Sequence, residues 1–250
     1  MQIKDAAVIV TGGASGLGAA VARAFRGKGA AVMLFDRDQA GGCALASEIG
    51  AGFCAVDVTD EGSVLAGIAA AKAAMGRISV LVNCAGIATG ARVVGRDGPH
   101  DLALFQRTID INLIGSFNCM RLAAAEMATN DPVDGERGVV INTASIAAFD
   151  GQKGQAAYAA SKAGIAGMTL PAARDLAGQG IRVCAIAPGV FLTPMLEGLG
   201  SEIQDGLAAE VTFPKRLGRP EEFAAMAGFI VECSYLNGEV IRLDGALRMR

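Results

Sequence analysis

One histidine, His100, is all the imidazole in this 250-residue chain, and it stands between Pro99 and Asp101 in a loop-like stretch. A lone histidine excludes hydrolases built on Ser-His-Asp or Cys-His pairs, and it excludes a metal site made of several histidines, so no metal is expected. Paired cysteines are missing too. Cys43, Cys54, Cys84, Cys119, Cys184 and Cys233 are far apart, with no C-x-x-C spacing. They read as reduced, mostly buried thiols and not as a disulfide framework. Although 52% of the residues are hydrophobic, no apolar run reaches the roughly 20 residues that a membrane-spanning helix needs. The net charge of -3 leaves no basic footprint for nucleic acid. Met1–Asp5 leads almost directly into a strand pattern, which leaves no room for a signal peptide. The expectation is a cytoplasmic protein without membrane or nucleic-acid partners, whose excess apolar surface is spent partly on self-association.

What is present is a rhythm. Short β-branched runs at Ala6–Val10, Ala31–Phe35, Phe53–Val56, Ser79–Val82, Gly138–Thr143, Ile181–Ile186 and Glu239–Arg242 alternate with alanine-rich stretches of helical period. Those stretches are Leu17–Lys28, Gln39–Ile49, Glu61–Met75, Asp101–Thr129, Gln155–Ala177 and Pro220–Glu232. Strands apolar throughout suit a sheet covered on both faces. Unbroken strand–helix alternation predicts an α/β, Rossmann-type doubly wound parallel sheet of about seven strands in a single domain over residues 1–250. Two Gly-containing segments interrupt it, Thr89–Pro99 and the Pro-bearing Phe191–Leu217. Both leave from the carboxyl ends of strands, where such sheets bind ligands, so they are expected as pocket walls, with a substrate lid around 191–217.

The first strand runs into Thr11-Gly12-Gly13-Ala14-Ser15-Gly16-Leu17-Gly18 and then a helix. Glycines here allow a tight turn and let backbone N–H groups approach a pyrophosphate at the helix N-terminus. The spacing is Gly-x-x-x-Gly-x-Gly rather than Gly-x-Gly-x-x-Gly. Asp36 closes the second strand, where a carboxylate can accept both ribose hydroxyls of an adenosine and repel a 2′-phosphate. That favours NAD over NADP, although Arg37 follows immediately and is able to meet a phosphate. Asp57, with Val58 after the third strand, lies at the same edge, either against an adenine or as an exposed turn residue.

The chemistry falls to a tyrosine. Tyr158-Ala159-Ala160-Ser161-Lys162 puts a phenol and an ammonium one helical turn apart on one face. Lowering a phenol by about three pH units toward neutrality takes roughly 4 kcal/mol of preference for the phenolate. A nearby lysine cation and an oxidised, positively charged cofactor are the expected sources. Ser145, at the end of the fifth strand, is placed to hydrogen-bond a substrate oxygen. Taken singly, each also has a bland reading: an i,i+4 Tyr/Lys pair on a solvated face, and a serine at a strand end.

In order and spacing, Thr11-Gly12-x-x-x-Gly16-x-Gly18, Asp57, Asn83-Cys84-Ala85-Gly86, Asn112, Ser145, Tyr158-x-x-x-Lys162 and Pro188-Gly189 with Thr193 resemble the short-chain dehydrogenase/reductases across essentially the whole chain. The resemblance implies Ser145 as anchor of the substrate oxygen, Tyr158 as proton donor and acceptor, Lys162 as a ribose-binding cation, and Asn112 as holder of a relay water. It further implies cofactor contacts from Gly12, Ser15, Gly16, Leu17, Gly18, Asp36, Asp57, Val58, Asn83, Cys84, Ala85, Gly86, Pro188, Gly189, Phe191 and Thr193, together with Tyr158 and Lys162.

A narrower likeness joins it. Ile141–Ser145, Phe149-x-Gly151-Gln152-x-Gly154-Gln155-Ala156-Ala157-Tyr158, Gly167–Pro171 and Leu236–Ala246 look like the type II 3-hydroxyacyl-CoA dehydrogenases, also known as type 10 17β-hydroxysteroid dehydrogenases. Pro171 inside a helical pattern, ordinarily a kink, makes this likeness specific. It implies oxidation of a 3-hydroxyacyl-CoA with NAD, substrate contacts from Ser145, Gln155 and Tyr158, and a homotetramer. Leu199–Val211 departs from the pattern, which leaves acyl length open. Rival readings are a 3-oxoacyl-carrier-protein reductase using NADPH, a hydroxysteroid or secondary-alcohol dehydrogenase, and a non-catalytic dinucleotide-binding module.

Overall fold

The computed structural model describes residues 1–96, 98–198 and 200–249. Asp97, Leu199 and Arg250 each fall inside a segment assigned from the sequence and lie outside the described residues. The elements, in chain order, are β1 (Ala7–Thr11), α1 (Gly16–Gly27), β2 (Ala31–Asp36), α2 (Gln39–Ile49), β3 (Gly52–Ala55), α3 (Glu61–Met75) and β4 (Val80–Asn83). A two-residue ribbon follows, β5 (Val94–Gly95) with β6 (Gly98–Pro99), then α4 (Leu102–Ile109), α5 (Gly115–Met127), β7 (Gly138–Thr143), α6 (Ala156–Ala177) and β8 (Ile181–Pro188). The last elements are α7 (Pro194–Glu197), α8 (Ser201–Glu210), α9 (Pro220–Glu232) and β9 (Val240–Leu243).

Seven strands form one parallel sheet in the order β3-β2-β1-β4-β7-β8-β9. Successive side chains point to opposite faces of a strand, and both faces here are dry. Val8 and Val10 face α1, α2 and α9 with Phe25, Leu45 and Phe223, whereas Ile9 faces α3, α5 and α6 with Ile68, Met120 and Ala173. That double cover is why the strands read as apolar throughout. Among the described residues, no helix is long and apolar enough to cross a membrane.

Chain order reverses between β1 and β4, and the crevice beyond their carboxyl ends is the binding place of doubly wound sheets. The helical stretch 101–129 is not one helix. Residues Asp110–Ile114 widen into a single π turn between α4 and α5, and this turn buries Asn112 completely. Such turns cost hydrogen-bond geometry and recur at functional sites. Pro171 does not break α6. The hydrogen bond it cannot make belongs to the carbonyl of Gly167, an exposed residue, so water can take that carbonyl.

Candidate functional site

The glycine turn after β1 is shaped by its neighbours. Gly12 has φ 63°, and a Cβ there would stand 2.7 Å from the Ala85 nitrogen; a Cβ on Gly18 would stand 2.2 Å from the Gly12 oxygen. Neither position accepts a side chain, so the loop after β1, the loop after β4 and the first turn of α1 pack backbone to backbone. Thr11 ties them. Its carbonyl accepts from Cys84 N (3.1 Å), and its hydroxyl accepts from Ala85 N (3.2 Å) and donates to Asn83 Oδ1 (3.3 Å). Ser15 is the N-cap of α1 but its side chain caps nothing. The first-turn N–H groups of a 12-residue helix are therefore unspent toward the crevice.

Asp36 is fixed from two sides: Ala14 N donates to Oδ2 and Asp38 N to Oδ1, both at 3.0 Å. Asp57 accepts from the Thr59 hydroxyl (2.7 Å) and amide (2.9 Å), and Arg37 Nε lies 3.5 Å from its other oxygen. Those bonds, the Thr59 hydroxyl first, hold its carboxyl below the usual carboxylate range. Together these loops line a cavity of about 370 Å3 that includes Gly12, Ser15, Gly16, Leu17, Gly18, Asp36, Asp57, Val58, Cys84, Ala85, Gly86 and Thr193.

A second cavity, about 470 Å3, adjoins it and shares Leu17, Cys84, Gly86, Ile87 and Thr193. Ser145, Gln155, Tyr158, Lys162, Pro188, Gly189 and Phe191 all line it. Ser145 stands two residues beyond β7, as the N-cap of the short turn Ile146–Ala148, and accepts from Ala147 N at 3.1 Å. Gln155 accepts from Gln152 N through its side-chain oxygen at 3.0 Å, which closes the loop ahead of α6.

Tyr158 and Lys162 converge as their spacing predicts, but the electrostatics differ from the expectation. The Lys162 ammonium lies over the Tyr158 ring, 5.8 Å from its centre, and donates to the Thr143 carbonyl at 2.7 Å. Burial pushes the phenol above its ordinary value, against the hydrogen bond from Ser145. Burial also pulls Lys162 down to about 8. The acidified phenol expected from the lysine together with a positively charged cofactor is not a property of the chain by itself, because desolvation dominates at both groups. Cys84, beside Lys162, is a thiol that burial pushes up to about 11.

Two of the residues singled out from sequence stand behind the cavities instead of lining them. Asn83 is buried between strands, donating to Asn142 Oδ1 (2.9 Å) and the Ser116 carbonyl (3.1 Å). Asn112 uses both side-chain donors, on the Ile87 carbonyl (2.9 Å) and Ser161 Oγ (3.0 Å), while accepting from Ile87 N (2.8 Å). It pins the loop after β4 against α6. Sequence reasoning missed Thr143, whose main-chain oxygen holds the lysine, and a main-chain role leaves no signature in residue type. It also missed Met249, which lines the second cavity from the far end of the chain. Leu196 and Leu207, on the expected lid, line it too.

A family model described as short chain dehydrogenase matches residues 6–204. A Homo sapiens protein named 3-hydroxyacyl-CoA dehydrogenase type-2 is 52% identical, with the alignment covering 100% of this chain and 97% of that protein. A protein of the same name from Drosophila melanogaster is also 52% identical, over 99% of both chains. A crystal structure of 3-hydroxyacyl-CoA dehydrogenase type-2 from Mycobacterium avium superposes with a TM-score of 0.95 at 48% identity, covering 99% of this chain and 98% of that one.

Proposed function

The chain belongs to the short-chain dehydrogenase family, and on that premise we propose that its two joined cavities take NAD and a 3-hydroxyacyl-CoA and oxidise the 3-hydroxyl to a ketone. As a member of that family it is an oxidoreductase that uses a nicotinamide cofactor. The observation that carries the substrate reading is the convergence of Ser145, Tyr158 and Lys162 on the wall of the second cavity, which adjoins the first. The relatives' names supply the acyl-CoA, with identity near one half over the full length.

The residues present fit a dinucleotide. The uncapped first turn of α1 offers N–H groups for a diphosphate, and the side-chain-free turn at Gly12 and Gly16 gives the close approach it needs. The fixed carboxylate of Asp36 favours NAD over its 2′-phosphorylated counterpart by charge and by ribose hydrogen bonds. When bound, NAD supplies the hydride acceptor and a positive ring charge.

The chain does the rest. Ser145 holds the substrate oxygen against Tyr158, and Tyr158, acting as the phenolate that the Lys162 cation favours, takes the proton that this oxygen gives up. Lys162, anchored on Thr143, presents its cation to ribose hydroxyls and to the phenol. Asn112 holds the loop at Ile87 in place, and its one remaining acceptor lone pair is what a relay water would use. Gln155 completes the substrate wall. Phe191 and Thr193 with α7 and α8 form the lid. The reading also includes a homotetramer in the cytoplasm, supported by exposed Ile114, Phe117, Phe229 and Tyr235 and by cysteines that are all unpaired.

Steady-state oxidation of 3-hydroxybutyryl-CoA, with NAD and with NADP, followed by absorbance of the reduced cofactor, tests the proposal. Turnover with NAD is expected; preference for NADP, or no turnover, would overturn it.

A further inference from the structure

The substrate cavity is too small for everything an acyl-CoA brings. About 470 Å3 suits a small organic ligand. The acyl chain and reacting carbonyl occupy it, and the nucleotide end of the substrate must then lie outside, across the rim.

That rim has a distinct chemistry. Gln152 and Gln155 line one side of the cavity and Ala88, Thr89 and Gly90 line another. The two segments are clasped where Ala91 N donates to the Gly154 carbonyl at 2.8 Å. Immediately beyond the clasp, Arg92 projects from one segment and Lys153 from the other, both exposed. The β5–β6 ribbon continues from Arg92, with exposed Val93 and Val94 and with Arg96 at its turn. None of these three cations is ion-paired or hydrogen-bonded among the described residues. Their situation contrasts with the basic residues nearby: Arg242 is taken by Asp150 and Asp244, and Arg248 by Asp244. Three unspent cations beside two exposed valines, in a chain whose net charge is -3, form a local patch against the overall balance.

We propose that Arg92, Arg96 and Lys153 form the handle for the coenzyme A moiety, engaging its diphosphate and 3′-phosphate while Val93 and Val94 meet its apolar arm. This rests on the acyl-CoA reading above. Arginine suits the 3′-phosphate because its planar donors can bind two phosphate oxygens at once, and lysine acts as a point charge. On an exposed rim each contact is weak, so the handle sets KM and leaves the hydride step alone.

The test is Arg92→Glu combined with Lys153→Glu, assayed on 3-hydroxybutyryl-CoA and on the same acyl group as an N-acetylcysteamine thioester, which lacks the nucleotide. KM for the CoA substrate is expected to rise at least about fivefold with kcat retained. The truncated thioester should move by less than about twofold, and wild-type KM for the CoA substrate should rise with salt while the variant's does not. An unchanged KM for the CoA substrate overturns the handle, and so does an equal loss on both thioesters. Wild-type enzyme that turns over neither thioester overturns the acyl-CoA reading itself, which is a separate result.

Discussion

Lys162 gives its hydrogen bond to the main-chain oxygen of Thr143, 2.7 Å away, and meets Tyr158 only through the ring face, 5.8 Å from its centre. The lysine is therefore oriented by the sheet and not by the phenol. Among the described residues no carboxylate acts on it, and the group beside it is the neutral Cys84 thiol. A cation kept buried in this way is held at a cost, which suits a group whose partners arrive with a ligand.

That cost gives the first prediction, a pH dependence of stability in the ligand-free chain. The folded pKa of Lys162 is lowered to about 8, below its unfolded value. The unfolded chain then binds more protons than the folded one between those two values, so this group makes stability rise as pH climbs from about 8 toward its ordinary lysine value. Buried Cys84 and Cys119, pushed up to about 11 and about 12, act in the opposite direction over the alkaline range. Comparing Lys162→Met with wild type isolates the lysine. Denaturant midpoints should show the variant more stable near neutrality, with the gap closing as pH rises. A gap that is constant from pH 7 to 10 contradicts the burial argument.

Tyr158→Phe should retain binding of the reduced cofactor, since the ring still fills its place in the cavity wall. Turnover should fall at least about a hundredfold, the low end of general acid/base contributions. Cofactor fluorescence titration and steady-state rates read the two effects separately. An unchanged rate would remove Tyr158 from the reaction.

Much of this was legible in the sequence, for physical reasons that particular residues make plain. The strands were visible because both faces of the sheet are dry, so Val8, Ile9 and Val10 are all apolar. The cofactor loop was visible because Gly12 and Gly18 have no room for a Cβ. Tyr158 and Lys162 were paired by helical spacing alone. What stayed hidden was carried by backbone, by distance along the chain or by desolvation. The Thr143 carbonyl, the π turn that buries Asn112 and the arrival of Met249 at the second cavity depend on the assembled fold. The raised phenol depends on burial, which residue type does not state.

Asp36→Asn keeps the shape of the side chain and removes its charge. With the carboxylate gone, the repulsion against a 2′-phosphate disappears and one ribose acceptor is weakened, while Arg37 remains beside the site. The ratio of kcat/KM for NAD to that for NADP should fall at least about tenfold, the size of one charge-assisted hydrogen bond. Paired kinetics with both cofactors provide the check, and an unaltered ratio would mean that discrimination lies elsewhere.

The C-terminal wall of the substrate cavity depends on Arg242. Its guanidinium donates to Asp150 (2.6 Å), Asp244 (2.8 Å) and the Leu247 carbonyl (3.1 Å), and lies over the Phe149 ring at 5.5 Å. One side chain thereby ties the loop that follows Ser145 to the tail that carries Met249. Arg242→Met should lower stability by about 2 kcal/mol, a modest figure because the side chain stays partly in water. The KM for the acyl substrate should rise several-fold while cofactor affinity holds. The Asp150 carboxyl is kept below its ordinary range by the hydrogen bond from Arg242. Its contribution is present above the usual carboxylate range and is lost as pH falls through the folded value, so the stability gap between wild type and variant should narrow in acid. Equal midpoints at neutral pH, or a KM that stays put, would show that Arg242 does not hold the wall.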